Sequence, residues 1–251
     1  MKKTPETILP YGAGDRKGKQ VKSMFDSIAH NYDFLNHVLS FRQDKRWRKK
    51  AVRSLVKDAP ESILDIATGT GDFALEAWKH LHPTNIIGAD LSVGMMEVAA
   101  SKVKKAGLDA HIQFEVQDCT ALTFKDDTFD AVIIAFGVRN FENIAQGIAE
   151  MHRVLKPGGK LVILELSRPE RFPMKQLFEL YSITVLPLAG RFFSKDDKAY
   201  EYLPASIKVV PQSGEMVAML ETQGFEDTSF KTFTLGVCTL YTGTKPQKVK
   251  T

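Results

Sequence analysis

The sequence predicts an α/β fold built on a doubly wound parallel sheet, and three observations carry the prediction. From Glu61 to Leu166, short apolar segments alternate with stretches of helical periodicity, as expected of a parallel sheet covered on both faces. The first apolar segment runs into a glycine-rich turn, Thr68-Gly69-Thr70-Gly71-Asp72. The next two end on Asp90 and Asp118, where a doubly wound sheet presents groups to a ligand.

In chain order, residues 1–20 are polar and basic, punctuated by Pro5, Pro10, Gly12, Gly14 and Gly18. They read as a flexible arm whose Tyr11 is placed to close over a ligand. Residues 21–59 read as a helical cap. Val21, Phe25 and Ile28 repeat at helical spacing, as do Trp47, Ala51, Val52 and Leu55, with a turn around Asn36–Ser40. Residues 60–251 form the main domain. Strands are expected at Ile63–Ala67, Asn85–Asp90, Ile112–Asp118, Asp130–Phe136 and Lys160–Leu166. Helices are expected at Phe73–His82, Val93–Gly107 and Ile144–Leu155, the last stopped by Lys156-Pro157-Gly158-Gly159. An apolar insertion occupies about 168–212; its stretch Phe172–Phe193 is interrupted by Pro173, Pro187 and Gly190 and bordered by Arg171, Lys175 and Arg191. It reads as a lid over a substrate or as a core helix. A helix at Ser213–Thr222 precedes two alternating strands, Asp227–Thr234 and Val237–Thr244, a hairpin that adds an antiparallel strand to the sheet.

Composition narrows the function classes. The chain has 251 residues, 43% hydrophobic and 25% charged, enough for one sizeable core. A net charge of +4 permits attraction to an anionic surface but lacks the density of a nucleic-acid binder, so no nucleic-acid partner is expected. The two cysteines, Cys119 and Cys238, lie in unrelated contexts, which points to a reducing compartment. The first ten residues carry no apolar leader segment. No uninterrupted apolar run approaches the roughly 20 residues of a membrane span. A cytoplasmic protein is expected, peripheral to a membrane at most. The six histidines form no cluster of ligand spacing, so no metal is expected.

The glycine turn alone is a weak signal, since a tight turn needs no ligand. A dinucleotide site would want a third glycine, and Ala74 stands there. The constellation says more: Asp65 inside the strand before Gly69 and Gly71, then Asp90-Leu91 and Asp118-Cys119 ending later strands, then Arg153-Val154-Leu155-Lys156-Pro157-Gly158-Gly159. This set resembles the class I S-adenosylmethionine methyltransferases. The resemblance implies a Rossmann-like seven-stranded sheet with its last strand antiparallel. It also implies S-adenosylmethionine as cofactor, with Asp90 on the ribose diol, Asp118 on the adenine amine and the Cys119 backbone N–H on a ring nitrogen.

Two longer segments narrow the resemblance. Tyr32-Asp33-Phe34-Leu35-Asn36-His37-Val38-Leu39-Ser40 with Trp47, and Arg153 through Ser167, are similar to the two signatures of the menaquinone/ubiquinone biosynthesis C-methyltransferase family; Ala135-Phe136-Gly137-Val138-Arg139-Asn140 resembles its segment after the fourth strand. The likeness runs from about Val21 onward. Departures are Arg42 and Asp44, where many members have Gly and His, and Ala135, where many have Ser. A catalytic duty for that His is therefore not carried over. The resemblance makes Thr70, Asp90, Asp118 and Cys119 the matching cofactor contacts. It implies a prenylated quinol substrate, demethylmenaquinol first and a benzoquinol as the alternative, and leaves dimerisation open. Other classes fit less well. Phe136-Gly137-Val138-Arg139 stands where an amino-methylating nucleic-acid enzyme carries Asp/Asn-Pro-Pro-aromatic, and neither cysteine follows a proline as a cytosine C5 enzyme requires. A non-catalytic cofactor-binding module would keep the first site alone.

C-methylation of a quinol needs electron density on carbon, which an ionised ring hydroxyl supplies. Arg139 is the candidate to hold the anionic oxygen, since a guanidinium is no base near neutral pH; a surface salt bridge is the bland reading. Asn140 is a candidate to orient the same oxygen, against a helix cap. Tyr32 and Asp33 are candidates to line the pocket, and His30 and His37 to serve as bases.

Overall fold

The computed structural model describes residues 4–193 and 197–248. A single seven-stranded sheet runs in the order β3-β2-β1-β4-β5-β7-β6. Its parallel part comprises β1 (Ser62–Ile66), β2 (Asn85–Asp90), β3 (Ile112–Val116), β4 (Phe129–Ala135) and β5 (Leu155–Leu166). β7 (Cys238–Thr244) lies antiparallel between β5 and β6 (Glu226–Phe233). The expected antiparallel final strand is present.

Period-two alternation divides the core between the two faces. Ile63, Ala131, Ile133, Val162 and Leu164 face α2 (Gln43–Arg53) and α3 (Asp72–Leu81). Leu64, Ile66, Val132, Ile134 and Ile163 face α5 (Ile144–Val154) and α8 (Gly214–Thr222). α4 (Val93–Lys105) connects β2 to β3. Chain order reverses between β1 and β4, and the crevice opens there, at the carboxyl ends of the strands.

Several expectations change. α1 spans Lys17–Leu39, so it begins inside the expected arm and runs unbroken through Asn36; the turn falls at Ser40–Arg42, where Phe41 and Arg42 both adopt positive φ. The arm is fastened rather than loose. Lys17 Nζ donates to the carbonyls of Pro5 (2.8 Å) and Arg139 (2.9 Å), and Gln20 bonds the backbone of Tyr11 and Gly12. Tyr11 packs beside the α1 cluster and lines neither cavity described below. Residues 1–3, also assigned to the arm, lie outside the described residues. The insertion forms α6 (Met174–Phe193) and α7 (Asp197–Val209). α6 continues through Pro187 and Gly190, residues that weaken a helix without forbidding it. Among the described residues, no helix is long and apolar enough to cross a membrane.

Candidate active site

The crevice holds two adjoining cavities. The first, about 840 Å³, lies over the carboxyl ends of β1, β2 and β4. β1 leaves the sheet through Gly69 and Gly71, both at positive φ, and a Cβ on Gly71 would sit 3.0 Å from that of Ala99. Asp65 organises this turn from within the strand: its Oδ2 accepts from the Thr68 hydroxyl (2.6 Å) and the Ala74 N–H (3.1 Å). Burial pushes its pKa up to about 7, and its Oδ1 has no partner. Asp65, Thr70 and Gly71, expected to touch the cofactor, do not line the cavity. Asp65 points back beneath the turn, Thr70 donates to Asp33, and Gly71 caps α3.

Gly69, Asp90, Leu91, Asp118 and Cys119 do line it. Asp90 spans the crevice, accepting from the N–H groups of Gly69 (2.8 Å) and Ser92 (2.9 Å), and burial raises its pKa against those bonds. Asp118 Oδ1 accepts from the Thr120 N–H (2.8 Å) and hydroxyl (2.7 Å). The Cys119 thiol is driven well above its usual pKa, chiefly by burial. Asn140 lines the same cavity with its Oδ1 buried and unpartnered, and α5 is capped by Asn143 instead. Two acidic strand ends around an apolar slot, with an open amide acceptor beside them, fit an adenosine whose tail carries a cation.

The second cavity, about 690 Å³, is mostly apolar and lies beneath α6 and α7. Tyr32 and Phe136 line both cavities. Arg139 rides the 3-10 turn after β4 and is buried, not on the surface. Its NH1 donates to Glu165 Oε1 (2.7 Å) and to the Phe136 carbonyl, while its backbone N–H donates to Glu165 Oε2 (3.2 Å). Its Nε has no partner. Glu165 is a residue that sequence reasoning missed. The signal was present: a carboxylate ending the buried run Leu161-Val162-Ile163-Leu164 requires a partner.

Three candidates move away from the pocket. Asp33 accepts from Thr70 and from Lys102 Nζ (2.8 Å) and lines neither cavity. Neighbours on a helix point about 100° apart, so Tyr32 and Asp33 do not share one face. His30 is exposed. His37 is held by Asp44, Nδ1 to Oδ2 at 2.8 Å, with its Nε2 3.9 Å from Asp72. These three residues are the one group among the described residues with metal-ligand spacing, but Arg48 stands among them, NH1 2.6 Å from Asp44 and 3.5 Å from Asp72. For Asp44, burial raises the pKa, but Arg48, Ser40 and His37 outweigh it and hold the carboxyl below its ordinary range. Asp44 is thus an anchor for Arg48 and a poor base.

Comparison with known proteins agrees with this geometry. The model of the ubiE/COQ5 methyltransferase family matches residues 13–245. A demethylmenaquinone methyltransferase from Bacteroides fragilis is 52% identical over 96% of this chain and 98% of its own. A ubiquinone/menaquinone biosynthesis C-methyltransferase UbiE from Geobacter sulfurreducens is 44% identical over 92% of this chain and 91% of its own. A solved SAM-dependent methyltransferase from Thermotoga maritima, 19% identical, shares the fold with a TM-score of 0.62 over 90% of this chain and 99% of its own.

Proposed function

The chain belongs to the ubiE/COQ5 methyltransferase family, and from that premise we propose that this S-adenosylmethionine-dependent enzyme converts demethylmenaquinol to menaquinol. The observation that carries the reading is the pair of cavities meeting at Tyr32 and Phe136, one with acidic strand ends and one apolar with a buried arginine. The naphthoquinol is preferred over a benzoquinol because the 52% identical relative is a demethylmenaquinone methyltransferase.

S-adenosylmethionine, when bound, supplies an electrophilic methyl group on a sulfonium. Asp90 would hold the ribose diol and Asp118 the adenine amine. Asn140, which lines the first cavity, would offer its unpartnered Oδ1 as an acceptor. In the second cavity, Arg139 stabilises the ring oxygen beside the accepting carbon and lowers the hydroxyl's pKa. Glu165 fixes that guanidinium in place before substrate arrives, so little reorganisation is left for the reaction. The accepting carbon would bond the methyl group as its bond to the sulfonium sulfur breaks and the neutral thioether, S-adenosylhomocysteine, leaves; the hydroxyl proton, and then the proton on the accepting carbon as the ring regains aromaticity, would pass to water. Charge is neutralised along this path, which the apolar walls favour.

A peripheral membrane contact belongs to the same reading. α6 turns Phe178 and Tyr181 to the cavity, while its Leu177, Leu180, Ile183 and Leu188 stay exposed. Phe172, Arg171 and Lys175 extend that exposed face. An apolar row with basic flanks suits an anionic bilayer in which a prenylated substrate resides.

The test of the acceptor is methyl transfer from labelled S-adenosylmethionine to short-chain demethylmenaquinol and to the corresponding 2-methoxy-benzoquinol in competition. The naphthoquinol should take most of the label. Preference for the benzoquinol would move the enzyme to the alternative acceptor.

A further inference from the structure

An acceptor of the class proposed above carries two ring oxygens, and Arg139 accounts for one. Only the hydroxyl ortho to the accepting carbon feeds charge into it. The second oxygen, on the far side of the ring, is meta to that carbon and takes no part in the chemistry. It must nevertheless enter a mostly apolar cavity, and a buried hydroxyl without a partner is costly.

Arg48 lies where such a partner is needed. It projects from α2, is 7% exposed and lines the second cavity together with Arg139. Asp44 and Asp72 engage its NH1, yet its Nε is buried without a hydrogen-bond partner. Such groups are rare in folded proteins and mark places where a ligand or water completes the structure. The guanidinium lies over the Phe136 ring, 5.3 Å from its centroid, while the carbonyl of Phe136 accepts from Arg139. The two guanidiniums therefore flank one residue of the cavity wall, and the pKa of Tyr32, raised by burial, is pulled down by both.

We propose that Arg48, braced by Asp44, binds the second ring oxygen, so that the cavity selects a para-dioxygenated ring held between two arginines. This rests on the quinol reading above. Arg48 is then a binding and specificity residue. Its contact is the same in ground and transition states, so its loss raises KM and leaves kcat nearly intact.

The test uses two acceptors: short-chain demethylmenaquinol and the matching 3-alkyl-1-naphthol, which keeps the hydroxyl beside the accepting carbon and lacks the remote one. The wild-type enzyme should prefer the diol in kcat/KM by about tenfold or more, the scale of one charge-assisted hydrogen bond. In Arg48→Gln that preference should fall to within about twofold, through KM for the diol, with Arg48→Lys between. The ratio between acceptors cancels any general loss of active protein, and its change from wild type to variant cancels the acceptors' intrinsic reactivity. Affinity for S-adenosylmethionine, measured alongside, reports on folding; should the Gln variant fail to fold, the Lys variant and the wild-type preference carry the test. An equal fall on both acceptors would make Arg48 a structural ion pair, and a wild-type enzyme indifferent to the remote hydroxyl would overturn the proposal directly. If the wild-type enzyme methylates neither acceptor, the quinol reading itself falls, and this proposal with it.

Discussion

Arg139, proposed above as the holder of the anionic ring oxygen, also has a structural duty. Its guanidinium neutralises a buried carboxylate, Glu165, and also lines the cavity where an oxyanion would form. Arg139→Ala should lose on the order of 100-fold in turnover, the scale of removing one oxyanion stabiliser. It should also lose about 3–5 kcal/mol of stability, because Glu165 is left buried and unpaired. Steady-state kinetics and thermal melts separate the two. Arg139→Lys should restore most of the stability and only part of the rate, because it supplies charge without the planar fork. Asp90→Ala should weaken S-adenosylmethionine binding by about 1–3 kcal/mol in calorimetry; wild-type affinity would remove the ribose assignment. Asp65 makes a pH-dependent prediction. Its pKa rises from 3.8 to about 7 on folding, so the native state holds the extra proton between those values. The stability it contributes is full below about pH 4 and lost as pH rises through 7. Asp65→Asn should therefore gain on the wild type across that window, by up to about 4 kcal/mol. Urea melts at successive pH values check this, and a pH-independent difference would contradict it. Asp90 and Asp118 were legible in the sequence because hydrophobic runs mark strand ends, and strand ends mark the crevice. The Arg48–Asp44–His37 network was not. Its members are spaced by helix and turn geometry that a linear pattern does not encode, and the same turn of helix separates Tyr32 from Asp33.

At the scale of elements, the central strands were readable from their own chain, since β1 and β4 are covered on both faces and their buried runs are nearly continuous. The covering of the crevice was less so. α1 starts four residues earlier than the apolar repeat suggests, because Lys17 is buried by bonding two carbonyls and leaves no hydrophobic mark. Burial carries the Lys17 pKa down to about 8. α6 was legible as an apolar segment, readable as a lid or as a core helix, but its run through Pro187 and Gly190 was not, since both read as interruptions. Its two-sidedness is a tertiary property: Tyr181 reaches back to donate to the Leu39 carbonyl (2.9 Å), while Leu180 and Ile183 on either side of it stay exposed. If that exposed row meets a bilayer, Leu180→Glu with Ile183→Glu should abolish flotation with anionic liposomes. The rate on a short-chain acceptor in detergent should be unchanged. Flotation equal to wild type, or no flotation of the wild type at all, would assign α6 to lid packing alone.

For the whole molecule, the topology brings the parts together. The β1–β4 reversal opens one crevice, the glycine turn and Asp90 shape its first half, and α1, α2, α6 and α7 enclose the second. Tyr32 and Phe136 are the wall the two cavities share, where donor and acceptor would meet. The chemistry argued for that meeting point has one strict requirement. The ring must carry an ionisable hydroxyl beside the accepting carbon, and a quinone has none. The direct measurement is labelled methyl transfer from S-adenosylmethionine to short-chain demethylmenaquinone, with and without a chemical reductant, with the product analysed for a new ring C-methyl group. The account predicts C-methylated product only when the ring is reduced. Equal rates on the oxidised and reduced rings would contradict it.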